Sequence, residues 1–308
     1  MNIENIKSII EKHAAKTTSR FGVYFKDLKT GESYGYNEND AYPSASVFKV
    51  FVLAQLMKMV AEGKCALEDR VPMRESDKSI GSGLIRFLDA GLDLTLKDYA
   101  TLMIIISDNT AADFLWRYVG RENIINDVIK PLGLTKTKVD LPCAPLCAIC
   151  YGIPADTGYK EFGALAKDNY NKLRMTEPYL CTMDMDDITS PTDVAKVLEL
   201  FYRGEWVNPE VSAEAINILK KCQTNARIPR YLPEEIEVAH KTGTMDRVAN
   251  DAGIVYTGAG DYILTMFYNG NTASQEEYDA NPDGDFGADI MADLSKEVYE
   301  EYTKAAAQ

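Results

Sequence analysis

Histidine is nearly absent from this chain of 308 residues, which holds only His13 and His240. That scarcity leaves a His-rich zinc site without ligands and a Ser-His-Asp triad with almost no source for its base. Basic residues are also short: 33 Lys and Arg face 47 Asp and Glu, a formal net charge of −14. Such a balance argues against a nucleic-acid partner, because phosphate binding needs clustered Lys and Arg. Acidic residues gather near the C-terminus (Glu276, Glu277, Asp279, Asp283, Asp285, Glu297, Glu300, Glu301), where they are expected to paint a solvated helix face. No stretch approaches the ~18 apolar residues of a membrane span. The N-terminus, Met1–Lys7, lacks an apolar core of signal-peptide length. The expectation is a cytoplasmic protein as the chain reads, or an exported one if a leader was removed.

Paired-cysteine spacing is sparse as well. The six cysteines, Cys65, Cys143, Cys147, Cys150, Cys181 and Cys222, include a single C-x-x-C, Cys147–Cys150. Cys143, Cys147 and Cys150 sit close together, with Cys181 as a candidate fourth member of a group. Unpaired thiols in a reducing compartment are the expected state, with a disulfide or metal-thiolate cluster as the alternative. His240 directly precedes Lys241, so it either lines a site or sits as a packed or solvated strand residue.

What is present is enough apolar sequence, 46%, to bury a sizeable core. Residues 2–16 read as an amphipathic helix, and residues 20–27 and 32–37 as two strands. Lys29-Thr30-Gly31 makes the turn between them. From Ser46 to about residue 130 the pattern turns helical: Val47–Val60 is apolar on most faces. Leu94–Ser107 opens with a Thr95-x-x-Asp98 start signal, and Asn109–Val119 and Glu122–Ile129 follow. Residues 140–190 read as irregular. Ser190 then caps a helix that begins at Pro191 and runs to about Tyr202, and another spans roughly 210–222. Strands return at 237–242, 251–256 and 262–268, before a last helix over 286–304.

Strands at both ends with helices between predict a discontinuous α/β (α+β) architecture. An antiparallel sheet flanked by the terminal helices would be built from residues 1–45 and 203–308. Residues 46–202 would form an all-helical lobe carrying an irregular Cys-containing insert at about 140–190. Sites commonly form at such a boundary.

Three strings carry chemistry. Ser46-Val47-Phe48-Lys49 puts a hydroxyl and an amine on one face of a helix start, so Lys49 can take the proton of Ser46 if burial lowers its affinity for one. Ser107-Asp108-Asn109 follows an apolar helix; Ser107 could relay a proton to a leaving amine and Asn109 could grip an amide, although all three residue types also cap helices. Lys-Thr-Gly occurs twice. The copy at Lys29 reads as turn chemistry. The copy at Lys241-Thr242-Gly243 opens a strand whose edge could supply the Thr244 backbone N–H as an oxyanion donor beside that of Ser46.

In that order the strings are the S-x-x-K, S-D-N and K-T-G set of penicillin-recognising serine enzymes. Ile80-Gly81-Ser82-Gly83-Leu84, Leu94-Thr95-Leu96-Lys97-Asp98, Thr224–Arg230 and Asn250-Asp251-Ala252-Gly253 extend the match. Over roughly residues 20–270 the chain resembles the class A β-lactamases. The resemblance implies a β-lactamase/transpeptidase-like fold, no cofactor, no metal and a monomer acting on a β-lactam or related amide. It implies Ser46 as nucleophile, Lys49 as base or base partner, Ser107 as proton shuttle and Asn109 as the contact for an amide side chain. Lys241, Thr242 and Thr244 would form the carboxylate and oxyanion edge. Arg227 matches the family's alternative carboxylate-binding arginine. Ala249 stands where many members carry arginine, so Arg227 or Arg247 would substitute.

The departure lies in residues 140–190. The family's Glu-x-x-Leu-Asn, whose glutamate activates the deacylating water, does not occur. Glu177-Pro178-Tyr179-Leu180-Cys181 is its nearest relative, with cysteine in place of asparagine, and Glu161 is a second candidate. Two other outcomes therefore stay open on the same scaffold: a DD-peptidase- or esterase-like acyltransferase, and a penicillin-binding sensor that never turns its adduct over.

Overall fold

A computed structural model of the chain describes residues 1–150, 154–162, 187–281 and 286–304. Helix α1 (Ile3–Ala14) starts where the Asn2 side chain accepts the Glu4 N–H at 3.0 Å, and it buries Ile6 and Ile10, one turn apart. Strands β1 (Arg20–Asp27), β2 (Ser33–Tyr36) and β3 (Tyr42–Pro43) follow, then a 3₁₀ turn over Ala45–Phe48 that runs into α2 (Lys49–Ala61). Strands β4 (Arg70–Pro72) and β5 (Asp93–Thr95) pair as a short ribbon. Helix α3 (Leu96–Ile105) begins at the predicted signal: Thr95 Oγ1 accepts the Asp98 N–H and Asp98 accepts the Thr95 N–H, a reciprocal cap. Next come α4 (Asn109–Val119), α5 (Arg121–Asn123) continuing into a π-helical turn at Ile124–Ile129, and α6 (Cys143–Cys150).

Strand β6 (Ile188–Thr189) pairs with β3, and α7 (Pro191–Arg203) starts with Ser190 Oγ accepting the Asp193 N–H and Pro191 in the first turn. Helix α8 (Pro209–Leu219) precedes β7 (Val238–Met245), β8 (Val248–Thr257) and β9 (Gly260–Asn269). Helices α9 (Gln275–Ala280) and α10 (Phe286–Lys304) close the described chain.

The five-stranded sheet runs β2-β1-β9-β8-β7 and its pairings are antiparallel. Strand β1 lies directly beside β9, Arg20 opposite Asn269 and Asp27 opposite Tyr262, so the two ends of the chain build one sheet as expected. Side chains of β9 alternate between two cores. Tyr262, Leu264 and Met266 join Ile6, Ile10, Leu294 and Val298 beneath α1 and α10. Ile263 and Phe267 join α2, α7 and α8 on the opposite face. The architecture is thus an α/β arrangement of antiparallel sheet and helices, with β7 as a free edge strand pointing at the 3₁₀ turn that carries Ser46.

Two differences from the sequence-based reading bear on the site. Strand β8 begins at Val248 rather than 251, because Val248 and Ala249 continue the ladder opposite Met245 and Thr244. Residues 140–190 are not irregular throughout: Cys143–Cys150 is a helix, started where the buried Asp113 carboxylate accepts the N–H groups of Cys143 and Ala144. Its cap comes from a distant part of the chain, so no local signal announced it.

Candidate active site

Ser46 sits half-buried in the 3₁₀ turn at the base of the cleft. The residue before it, Ala45, has φ +44°, a conformation that costs a non-glycine residue roughly 1–2 kcal/mol. The surroundings hold it there. Asn250 Nδ2 donates to Pro43 O at 2.8 Å and to Ser44 O at 3.1 Å, and the Ser44 N–H donates to Asp187 O at 2.8 Å. Gly243 of β7 lies against the same turn; a Cβ there would stand 2.7 Å from Ser44 O and 3.2 Å from Ser46 N. Glycine is therefore needed in the third position of this Lys-Thr-Gly so that the strand edge can reach the serine.

Lys49, the first residue of α2, is fully buried. Its ammonium donates to Ser107 O at 2.8 Å, Ser107 Oγ at 3.0 Å and Asn109 Oδ1 at 2.8 Å. These three acceptors use all three ammonium hydrogens. The Ser46 and Ser107 motifs are thus joined through the lysine. Ser107 ends the α3 segment with φ +57°, a second strained residue at the site. Asp108 beside it caps α4, accepting Ala111 N–H, and also takes the N–H groups of Leu84 and Ile85. Within one tripeptide, then, Asp108 is structural while its neighbours face the cleft chemistry. Asn109 Nδ2 donates to Ile80 O at 2.8 Å, and Gly81 leaves it room, since a Cβ at Gly81 would stand 2.5 Å from that nitrogen.

Lys241 is also fully buried, and its ammonium donates to Thr242 O at 2.7 Å. Burial and the nearby Lys49 charge hold its pKa down to about 7. Thr242 is buried and Thr244 exposed on the same strand. Arg227 lies buried beside them: Nη1 donates to Gly243 O and Asn250 O, and Nη2 donates to Thr244 Oγ1 at 2.7 Å. Arg247 donates to Asn281 O at 3.4 Å. His240 is packed rather than solvated, 2.9 Å from the Asp251 carboxylate.

The cleft, about 180 Å³, is lined by Ala45, Ser46, Phe48, Gly81, Ser82, Asn109, Cys143, Leu146, Cys147, Thr244, Met245 and Asp246. One wall is the Cys143–Leu146–Cys147 face of α6, residues spaced as one helix face requires. Both thiols are free, and burial raises their pKa values, that of Cys147 to about 11. They are protonated, weakly polar wall, not nucleophiles. Cys65 and Cys222 are free thiols too. Glu161 is exposed and does not line the cleft, while Glu177 and Cys181 lie outside the described residues. Ser82, Asn250 and the α6 wall went unrecognised in the sequence reading as parts of the site. Ser82 Oγ donates to Ser107 O at 3.0 Å, a contact across 25 residues that no local pattern signals.

A family model described as "Beta-lactamase enzyme family" matches residues 3–302. The chain belongs to the β-lactamase enzyme family. Among curated relatives of this family member, β-lactamase L2 of Stenotrophomonas maltophilia is 30% identical over 262 residues, 84% of this chain and 76% of the relative. SME-1 of Serratia marcescens is 25% identical over 276 residues, covering 87% and 82%. A solved β-lactamase from Sphaerobacter thermophilus superposes with TM-score 0.76 at 25% identity, covering 98% of each chain. A point mutant of PBP-A, in its acyl-enzyme complex with penicillin G, shares the fold with TM-score 0.75 at 23% identity, covering 98% and 97%. No helix among the described residues of this β-lactamase-family chain is long and apolar enough to cross a membrane.

Proposed function

We propose that this chain is a monomeric serine hydrolase that opens the amide of a β-lactam through an acyl-Ser46 intermediate. The observation that carries the reading is the Lys49 ammonium, buried behind the Ser46 turn and bonded at once to Ser107 Oγ and Asn109 Oδ1. In its neutral form Lys49 has a lone pair to accept the Ser46 hydroxyl proton, and Ser46 Oγ then adds to the lactam carbonyl. The backbone N–H groups of Ser46 and Thr244 face the developing oxyanion. As the C–N bond breaks, the proton passes from Lys49 through Ser107 to the leaving nitrogen. Lys241, Thr242, Thr244 and Arg227 offer a cationic, hydrogen-bonding edge for the substrate carboxylate, and Asn109 offers an amide contact for its side chain. Water then cleaves the ester, and Glu177 is the base assigned to that step.

A second reading, a DD-peptidase- or esterase-like acyltransferase or a sensor acylated without turnover, draws on the cleft wall. Leu146 and two protonated thiols line it, a surface poor in groups that hold a hydrolytic water. The test is intact-protein mass after mixing with a penicillin and a chromogenic cephalosporin, beside Ser46→Ala. Hydrolysis abolished by Ser46→Ala, with a transient adduct in Glu177→Ala, supports the hydrolase. A persistent one-to-one adduct on the wild-type chain selects the second reading. Full activity in Ser46→Ala refutes both.

A further inference from the structure

Gly81 borders two cavities at once, the cleft beside Ser46 and a neighbour of about 420 Å³. The cleft, about 180 Å³, falls short of the roughly 300–1,000 Å³ that a small-molecule site usually encloses. A β-lactam carrying an acyl side chain therefore needs room that the cleft itself does not provide. The sill between the cavities is held from α4. Asn109 Nδ2 donates to Ile80 O at 2.8 Å, the Asn109 N–H donates to Ser82 O at 2.9 Å, and Ser79 Oγ donates to Asp113 Oδ2 at 2.7 Å. At position 81 no side chain closes the passage. A substituent gripped at Asn109 can thus leave the cleft over Gly81 and enter the second cavity.

The chemistry of that cavity is aromatic and cationic. Ile80 and Phe162, 5% and 8% exposed, pack with Ala148 of α6 and the partly buried Tyr159. Phe87 also lines the cavity yet is 67% exposed, a large apolar surface left facing water. The Arg86 guanidinium lies over the Phe87 ring, 4.5 Å from its centroid, and Arg86 Nε is buried with no hydrogen-bond partner among the described residues. Lys160, the other cation lining the cavity, is already answered by Glu75 at 3.4 Å. Arg86 has no ion pair among the described residues, and none of those lining the cavity is acidic. In a chain of net charge −14, such a pocket favours an anion on an aromatic group.

We propose that this second cavity is a subsite for the acyl side chain of the Ser46 adduct, taking an aromatic ring that carries a carboxylate. Phe87, Tyr159 and Phe162 meet the ring, and Arg86 holds the anion. The proposal rests on the acyl-Ser46 reading, and it names the substrate class that the reading leaves open.

The experiment measures acylation rates, by intact-protein mass or hydrolysis, for three penicillins that differ only in the side chain. These are acetyl, phenylacetyl and para-carboxyphenylacetyl, and each rate is taken relative to acetyl on the same variant. Wild type is expected to prefer para-carboxyphenylacetyl over phenylacetyl roughly tenfold, the size of one charge-assisted hydrogen bond. Arg86→Gln should abolish that preference, and Arg86→Glu should reverse it in favour of a para-aminomethyl analogue. Phe87→Ala should lower both aryl ratios about fivefold, through lost ring contact. Equal aryl ratios in wild type, or a preference that survives Arg86→Gln, would overturn the proposal. Should the Arg86 variants not fold, the wild-type ratio and Phe87→Ala decide: an anionic preference with both aryl ratios lowered supports the subsite, and unmoved aryl ratios overturn it. Wild type with neither hydrolysis nor adduct on any of the three sinks the acyl-Ser46 reading and the subsite together. Acylation without side-chain preference sinks the subsite alone.

Discussion

The tripeptide Lys-Thr-Gly occurs twice in this chain, and its two copies meet opposite physical fates. Lys29-Thr30-Gly31 lies exposed between β1 and β2. The Asp27 carboxylate organises it, accepting the Lys29 N–H at 2.8 Å and Thr30 Oγ1–H at 3.0 Å. Gly31 has φ +80° and open space where a Cβ would be. There glycine supplies a backbone conformation. Lys241-Thr242-Gly243 is buried on a sheet-edge strand, and Gly243 supplies absent volume, since a Cβ would press on Ser44 O at 2.7 Å. The same three letters solve a turn in one place and a close approach to a nucleophile in the other. A motif acquires chemistry from the surface its strand edge meets.

The sharpest way to break this comparison is to remove the two lysines in turn. Lys241→Ala should lower kcat/KM on a carboxylate-bearing β-lactam by about 100-fold or more, the size expected for losing a desolvated charge contact. Lys29→Ala should leave it unchanged. Similar losses from both would mean that burial does not separate the copies. Next come the glycines. Gly243→Ala must shift β7 or the Ser46 turn, and a fall in acylation rate of about 10- to 100-fold is expected from an ångström-scale displacement. Gly31→Ala should cost about 1 kcal/mol in urea unfolding, from the positive φ alone, with unaltered kinetics.

The smallest effect concerns Asp27 and reads out only in stability. Burial would raise its pKa, but hydrogen bonds from Lys29, Thr30 and the Tyr302 hydroxyl outweigh it and bring the value below the ordinary 3.8. A depressed folded-state pKa stabilises the protein fully above the unfolded value, and that stability is lost as pH falls through the folded one. Asp27→Asn should therefore cost about 1 kcal/mol at neutral pH and flatten the stability profile below pH ~4, with activity intact. An unchanged acid limb would show that the turn does not rely on the ionised carboxylate.

Much of this was readable before any coordinates. Ile6 and Ile10 announce α1, Thr95-x-x-Asp98 announces α3, and Ser190-Pro191 announces α7, because caps and 3.6-residue periodicity act over a single turn of chain. The ordered strings pointed to Ser46, Lys49 and Ser107, and the structure brings Lys49 and Ser107 into contact behind the Ser46 turn. Other members of the site were silent. Asn250 holds the Pro43 and Ser44 carbonyls from across more than 200 residues of sequence, and Asp113 starts α6 from another helix. The expectation of an irregular segment at 140–190 missed Cys143–Cys150 for that reason.

The sequence by itself determined which residues can do chemistry, where helices start, and that strands lie towards both ends of the chain, inside its terminal helices. Those properties are local: they depend on side-chain type, capping hydrogen bonds and periodic burial within a few residues. Only the tertiary structure decided which Lys-Thr-Gly faces Ser46, that Asp108 caps while Ser107 meets Lys49, and that His240 is buried against Asp251. These depend on desolvation and on contacts closed by sheet pairing and helix packing, which no window of sequence contains.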